Sequence, residues 1–164
     1  MQWHFYVGYT VGGLLVIRII LGLFGPESAR FSRLWFSLGD LVNYVKSLPG
    51  REASGSNGHN PMGALSIIAI LIIVSLQVIT GLFSEDDALF YSGPLAGEVS
   101  GKISLELTSY HHIFSNAILV LVGLHLSAIV YYLIWKKENL IKPMLTGNKW
   151  VKKSADKARD ETAE

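Results

Sequence analysis

Apolar residues are concentrated in three long runs separated by polar segments. The runs cover residues 5–24, 64–83 and 113–135, and the second and third contain no charged residue. Each run has about the 20 residues that a helix needs to cross the hydrocarbon core of a bilayer. A soluble amphipathic helix would have a charged face at 3.6-residue spacing, and these runs have none. The pattern predicts an all-α membrane protein, a transmembrane helix bundle with spans over about residues 4–24, 62–83 and 110–136.

A shorter amphipathic pattern follows the first run. Between residues 31 and 46, apolar side chains recur at helical spacing, and Arg33, Asp40 and Asn43 take other positions. This spacing predicts a short amphipathic helix in the membrane interface, with Trp35 at the level of the lipid headgroups. We predict one membrane domain over residues 1–151 and a charged, flexible cytoplasmic tail over residues 152–164.

The distribution of basic residues predicts the orientation of the spans, because Lys and Arg favour cytoplasmic loops. The loop between the second and third runs contains only Lys102, whereas the first loop and the C-terminal segment contain several basic residues. We therefore expect the first loop and the C-terminus in the cytoplasm and the acidic segment 84–109 outside. Three spans then place the N-terminus outside, although residues 1–4 carry no signal for its translocation. The pattern predicts a chain that lacks a first helix, as a fragment, through a misassigned start or as a genuine variant.

Composition narrows the possible chemistry. The 164 residues have a net charge of +1 and include five histidines and no cysteine. The lack of cysteine excludes disulfides, iron–sulfur clusters, thiolate zinc sites and haem attached covalently through Cys-x-x-Cys-His. The near-zero net charge argues against a nucleic-acid partner. No Ser–His–Asp arrangement, phosphate-binding loop or carboxylate pair indicates hydrolysis or group transfer. Histidine is the main candidate for cofactor chemistry.

Three histidines and one arginine have a regular spacing within the predicted spans. His111 and His125 are 14 residues apart, which places them within about 40° on one helix face and about 21 Å apart along the axis. His4 opens the first span at the depth of His111, and Arg18 lies 14 residues further on, at the depth of His125. Ionisable residues inside a membrane are candidates for a functional site. A single histidine can equally serve as a hydrogen bond between helices, and Arg18 can extend to the interface.

The matching depth of His4 and His111 on neighbouring antiparallel helices favours an axial pair of ligands for haem iron. The apolar helix faces could bury the macrocycle, and Arg18 could pair with a haem propionate. Imidazole also binds zinc and copper, but two histidines without carboxylate or thiolate ligands make a weaker site for these ions.

Four segments of the chain also carry a family resemblance: WHFYVGYTVGGLLVIRIILGLFGP, GHNPMGALSIIAILIIVSLQVITGLF, HHIFSNAILVLVGLH and WKKENLIKPMLTGNKW. They resemble the bacterial cytochrome b561 and NiFe-hydrogenase b-type cytochrome family, whose members are four-helix membrane proteins with two haems. The resemblance covers all but the last part of the chain. It implies three spans of the four-helix family fold, because the segment that matches the family's first helix is absent from the chain.

The resemblance also implies ligand roles for individual residues. His4 and His111 would hold one haem b near the outer face, and His125 would be a ligand of an inner haem. The family's first helix normally supplies the partner of His125, so a second haem depends on such a partner. His111 is favoured over His112 because Asn116 then follows the ligand by five residues, as in the family. His59 lies at the cytoplasmic mouth of the second span, where it caps a turn more readily than it reaches a haem.

By this resemblance the chain is a multi-pass protein of the bacterial inner membrane that carries electrons in a respiratory chain. Its partners would be the lipid bilayer, quinone or quinol, and a c-type cytochrome or oxidoreductase subunit, which the acidic outer loop could dock. An electron-transfer protein or subunit is favoured over a stand-alone enzyme. Two alternatives stay open: a haem-free membrane anchor or scaffold, and an oxidoreductase that acts on quinone or superoxide. An acidic loop that is merely solvated stays equally open.

Overall fold

Three long apolar helices dominate the structure, a computed structural model that describes residues 2–27, 29–47, 61–86, 91–135 and 137. In chain order, its α-helices are α1 (Gln2–Phe24), α2 (Leu38–Ser47), α3 (Pro61–Phe83) and α4 (Gly101–Ile134). The helices α1, α3 and α4 each contain an 18-residue stretch of high mean hydropathy, 2.0, 2.6 and 2.3 respectively, and are long enough to cross a membrane. The predicted all-α membrane helix bundle is therefore confirmed, and the chain is a multi-pass membrane protein. The predicted tail over residues 152–164 lies outside the described residues.

The helix α3 contacts both other spans and packs most extensively against α4. Small side chains such as Ala64 and Thr80 are buried on α3, which allows close approach of neighbouring helices in a membrane. Large apolar side chains on the opposite faces, including Leu14 of α1 and Leu119 of α4, are exposed. These outer faces suit contact with lipid rather than water.

Hydroxyl side chains within the spans bond the backbone of their own helix. The Thr10 hydroxyl donates to the carbonyl of Tyr6 at 2.8 Å, and that of Ser75 donates to the carbonyl of Leu71 at 2.7 Å. Because hydrocarbon offers no hydrogen-bond partner, internal bonds of this kind let an apolar helix carry polar residues.

The helix α4 begins at Gly101, well before the predicted start at residue 110. Its 34 residues span about 51 Å, whereas the hydrocarbon core is about 30 Å thick. Hydropathy marks the part of the helix in the membrane, but the helix continues beyond it. Two hydroxyls attach this first part to the end of α3 and the following strand: Ser104 donates to the carbonyl of Phe83 at 2.7 Å, and Thr108 donates to that of Glu85 at 2.9 Å.

The segment predicted as one amphipathic helix over residues 31–46 is divided in two. A 3₁₀ turn covers Phe31–Leu34, Trp35 is extended, and α2 begins at Leu38. The break has a local cause, because Ser37 and Asp40 form a reciprocal capping box. The Asp40 carboxylate accepts the N–H of Ser37, and the Ser37 hydroxyl accepts the N–H of Asp40, both at 3.0 Å. The backbone N–H of Ser37, more than its hydroxyl, holds the pKa of Asp40 below its ordinary value.

The loop between α3 and α4 folds back over the ends of both helices. Strands β1 (Glu85–Asp86) and β2 (Tyr91–Ser92) pair in antiparallel register, and a 3₁₀ turn follows over Ala96–Glu98. The N–H of Leu95 donates to the carbonyl of Leu82 at 2.9 Å, which closes the end of α3. The fold of this loop brings the Tyr91 ring to 6.3 Å from the ring of Phe5 on α1.

Candidate cofactor-binding site

A cavity of about 570 Å³ lies between the N-terminal part of α1, the C-terminal part of α3 and the N-terminal part of α4. Its walls are mostly apolar, and Tyr91 of the loop between α3 and α4 also lines it. The polar side chains on its surface include His4, Gln77, His111 and His112. A mainly apolar pocket of this size with a few convergent polar groups is typical of small-molecule and cofactor sites.

The cavity brings His4 and His111 together. Their ring centroids lie 5.9 Å apart with the ring planes at 80°. Two metal–imidazole bonds of about 2 Å each, placed in line, set the ring centroids about 6 Å apart. His4 and His111 would therefore be the residues of this cavity that hold a metal-containing cofactor.

The donor set favours a haem iron over a bare metal ion. No cluster of three or more His, Cys, Asp or Glu residues is positioned to hold a metal ion in the part of the chain that the structure describes. An iron in a porphyrin already has four nitrogen ligands and needs only two axial ones. The His4–His111 pair and the apolar walls thus fit a haem.

The hydrogen bonds of His111 define which ring nitrogen is available to a ligand. Nδ1 lies 3.0 Å from the backbone carbonyl of Gln77 and 3.3 Å from the Thr80 hydroxyl. Because a carbonyl can only accept, Nδ1 carries the proton and donates a hydrogen bond to the backbone carbonyl of Gln77. Nε2 then has the lone pair, and the side-chain amide nitrogen of Gln77 donates to it at 3.0 Å. A histidine that donates one ring N–H to a carbonyl is the usual arrangement of a metal ligand.

Three residues of α3 hold the His111 ring, and we call Gln77, Thr80 and Gly81 the α3 cradle. Their spacing places them on one face of the helix. Thr80 is only 5% exposed. Gly81 permits the close approach, because a Cβ at this position would lie 2.8 Å from Cε1 of His111. Sequence reasoning missed the cradle, although Gln77 and Thr80 are among the few polar residues of an otherwise apolar run.

His112 lies at the edge of the same cavity. Its ring centroid is 6.5 Å from that of His111, and its side chain is exposed. The α3 cradle engages His111, and no bond between His112 and the cradle occurs among the described residues.

The two predicted inner residues, His125 and Arg18, have different partners. Nδ1 of His125 is 3.1 Å from the hydroxyl of Ser66 on α3, a partner that sequence reasoning did not identify. Arg18 donates to the carbonyl of Ala29 at 3.0 Å, and its guanidinium lies 4.9 Å from the centre of the Phe31 ring. Arg18 thus contacts the loop that follows α1. His59, the remaining histidine, lies outside the described residues.

The geometry of Arg18 depends on a second glycine. Gly22 is buried under the Phe31 ring, which a Cβ at this position would overlap. The ring can therefore lie flat on α1 and reach the guanidinium one turn away. A cation–π contact and a carbonyl together satisfy an arginine near the end of a membrane helix.

Comparison with known proteins identifies one family. The family model described as prokaryotic cytochrome b561 matches residues 1–147 of the chain. No curated protein and no solved structure matches it.

Proposed function

Because the chain belongs to the prokaryotic cytochrome b561 family, we propose that it carries electrons between the quinone pool and a periplasmic or subunit redox partner, using a haem b held by His4 and His111. Membership of the family implies a membrane b-type cytochrome in electron transfer, and it implies binding of haem b. The ligand pair, the number of haems and the partners belong to the proposal. So do the bacterial inner membrane as its location and the cytoplasmic C-terminus.

The observation that carries the proposal is the contact between the rings of His4 and His111 at the wall of an apolar cavity. It is supported by the hydrogen bond from Nδ1 of His111 to α3, which leaves Nε2 as the ring nitrogen with the lone pair. Gly8 supports it as well, because this glycine lines the cavity and a Cβ there would meet no atom within 4 Å. The wall formed by α1 is therefore open beside His4, and a planar group could approach the backbone.

When bound, haem supplies reversible one-electron transfer. The residues of this chain would hold the haem and tune its reduction potential. His4 and His111 would provide two neutral imidazole ligands, and the carbonyl of Gln77 would increase the basicity of His111 through Nδ1. The apolar walls would exclude water, which tunes the reduction potential together with the axial ligands.

The acidic outer loop is the proposed docking surface for a basic redox partner such as a c-type cytochrome. Glu98 and Glu106 are exposed, and Glu85 is partly exposed. Opposite charges on two surfaces steer encounter and raise the association rate at low salt.

An inner haem forms a separate part of the proposal. His125 would be one of its ligands and Arg18 a partner for its propionate, as the family resemblance implies. Among the residues that the structure describes, the partner of the His125 imidazole is Ser66. We therefore propose one haem for the chain alone, and a second only where another segment or subunit supplies a ligand opposite His125.

The test is the haem content of the purified protein in detergent or nanodiscs. A reduced-minus-oxidised spectrum should have the sharp α band of a b-type cytochrome, and the pyridine haemochrome assay should give about one haem per chain. His111→Ala should abolish both signals, and the matched variant His112→Ala should retain them. A wild-type protein without an α band would refute the cytochrome function and favour the haem-free anchor. Loss of haem in His112→Ala with retention in His111→Ala would show that the ligand assignment is wrong.

A further inference from the structure

Gln77 is a polar residue within the cavity whose side chain has no role in the proposed electron transfer. We infer that its side-chain amide caps the ligand nitrogen of His111 in the haem-free chain and competes with haem for that nitrogen. The inference rests on the proposed haem site. It makes Gln77 a positioning residue with two separate functions, one in its backbone and the other in its side chain.

The competition follows from the hydrogen bonds of the His111 ring. Its Nδ1–H group donates a hydrogen bond to the backbone carbonyl of Gln77. Nε2 therefore holds the one lone pair that is available in the plane of the ring. The amide nitrogen of Gln77 uses that lone pair at 3.0 Å. A metal bond to the same nitrogen needs the same pair of electrons. The amide contact and ligation by His111 are therefore mutually exclusive.

The amide is also held weakly enough to leave. Its oxygen, Oε1, is buried and has no hydrogen-bond partner among the residues that the structure describes. Within the described part of the chain, the side chain is thus attached to the site through its amide nitrogen only, and release of His111 breaks one hydrogen bond rather than two.

The hydrogen bond from the Gln77 amide stabilises the orientation of the His111 ring in the apolar cavity. A ring nitrogen left without a partner in an apolar cavity is unfavourable, and the His111 ring could turn away to find one. The Gln77 amide satisfies Nε2 while the Gln77 carbonyl and Thr80 hold Nδ1. The ring therefore keeps one orientation before the cofactor arrives.

The two functions can be separated by mutation, because the contact with Nδ1 uses the backbone of Gln77. Gln77→Leu removes the amide and leaves the carbonyl in place. In this variant no hydrogen bond has to be broken before His111 can bind iron. Haem should then bind about five-fold more tightly, the ratio that corresponds to one net hydrogen bond of ordinary strength.

The experiment titrates haem into the haem-free full-length protein and follows the Soret band for wild type, Gln77→Leu and Gln77→Met. The two variants differ in side-chain shape but both lack the amide, so one well-folded variant is sufficient. Ser75→Ala is the matched control, because Ser75 bonds the carbonyl of Leu71 within α3. We expect tighter binding in both Gln77 variants and wild-type affinity in the control.

A second measurement needs no haem. In the haem-free protein, the ¹⁵N resonance of Nε2 of His111 should shift on Gln77→Leu toward that of a free acceptor nitrogen, and Ser75→Ala should leave it unchanged. Equal or weaker haem binding by both Gln77 variants, or an unchanged Nε2 resonance, would overturn the inference while the haem site stands. A wild-type protein that binds no haem would instead overturn the proposed function, and the inference with it.

Discussion

The ring of His111 can lie against α3 because residue 81 is glycine. A Cβ at this position would be 2.8 Å from Cε1 and 3.2 Å from Nδ1 of the ring. Carbon atoms in ordinary contact are about 3.5–4.0 Å apart, so Gly81→Ala requires the ring to retreat by roughly 0.7–1.2 Å. The hydrogen bond from Nδ1 to the Gln77 carbonyl, 3.0 Å long at present, would then exceed hydrogen-bonding distance.

The size of the effect follows from these two losses. Overpacking of this kind costs about 1–3 kcal/mol, and a lost hydrogen bond costs about 1 kcal/mol. In the haem-free chain the ring can turn away and gives up this hydrogen bond as well, so only the overpacking falls on the haem-bound form alone. Gly81→Ala should therefore weaken haem binding by about 5- to 150-fold.

The assay is a haem titration by Soret absorbance, with helix content measured by circular dichroism. Gly13→Ala is the control, because its Cβ would meet no atom within 4 Å and it has the same favourable effect on helix propensity. Gly81→Ala with wild-type affinity would refute the steric argument. An equal loss in Gly13→Ala would show that the effect comes from the helix backbone rather than from the ring contact.

Two other predictions concern the cavity wall and the capping box. Gly8→Leu should lower haem affinity at least about ten-fold without loss of helix content, because the leucine side chain would fill the cavity. The matched variant is Gly13→Leu, which lies outside the cavity lining and should bind haem normally. Equal affinities of the two variants in haem titrations would contradict the location of the site. The pKa of Asp40 is lower in the folded chain than its ordinary 3.8, so its ionised form should stabilise α2 above that pH and lose this effect as the pH falls further. The ¹³C shifts of α2 should therefore move toward coil values below pH 3.8, and Asp40→Asn should remove this dependence; identical pH profiles would argue against it.

The sequence was sufficient to predict the spans, because a helix that crosses the bilayer needs an apolar run of about 20 residues. It also indicated a common depth for His4 and His111, since helix rise converts residue number into height. Their rings are in contact in the structure.

The α3 cradle could not be predicted in the same way. Which face of α3 meets α4 depends on the rotation of α3 about its axis, and a run that is apolar on all sides carries no signal for that rotation. Gln77 and Thr80 therefore read as isolated polar residues until the packing of the two helices is known. The contact of Arg18 with Phe31 could not be predicted for a similar reason, because it depends on how the loop after α1 returns across Gly22.

The break before α2 is different, because its signal is local. Ser37 and Asp40 have the spacing of a capping box, and this signal marks a helix start inside the amphipathic pattern. The apolar periodicity continues across the break, so the periodicity alone predicts a single helix.

The attachments of α4 to α3 have a consequence for how the bundle responds to its surroundings. Ser104 and Thr108 attach α4 to the end of α3 and to β1, and the cradle adds further bonds at His111. The hydrogen bonds of Thr10 and Arg18, by contrast, stay within α1 and the loop after it. A change in bilayer thickness tilts helices, and here it should shift α1 against a fixed α3–α4 pair. A haem bound by both His4 and His111 would then fasten the movable helix to the fixed pair, so cofactor binding would be a step in the assembly of the bundle.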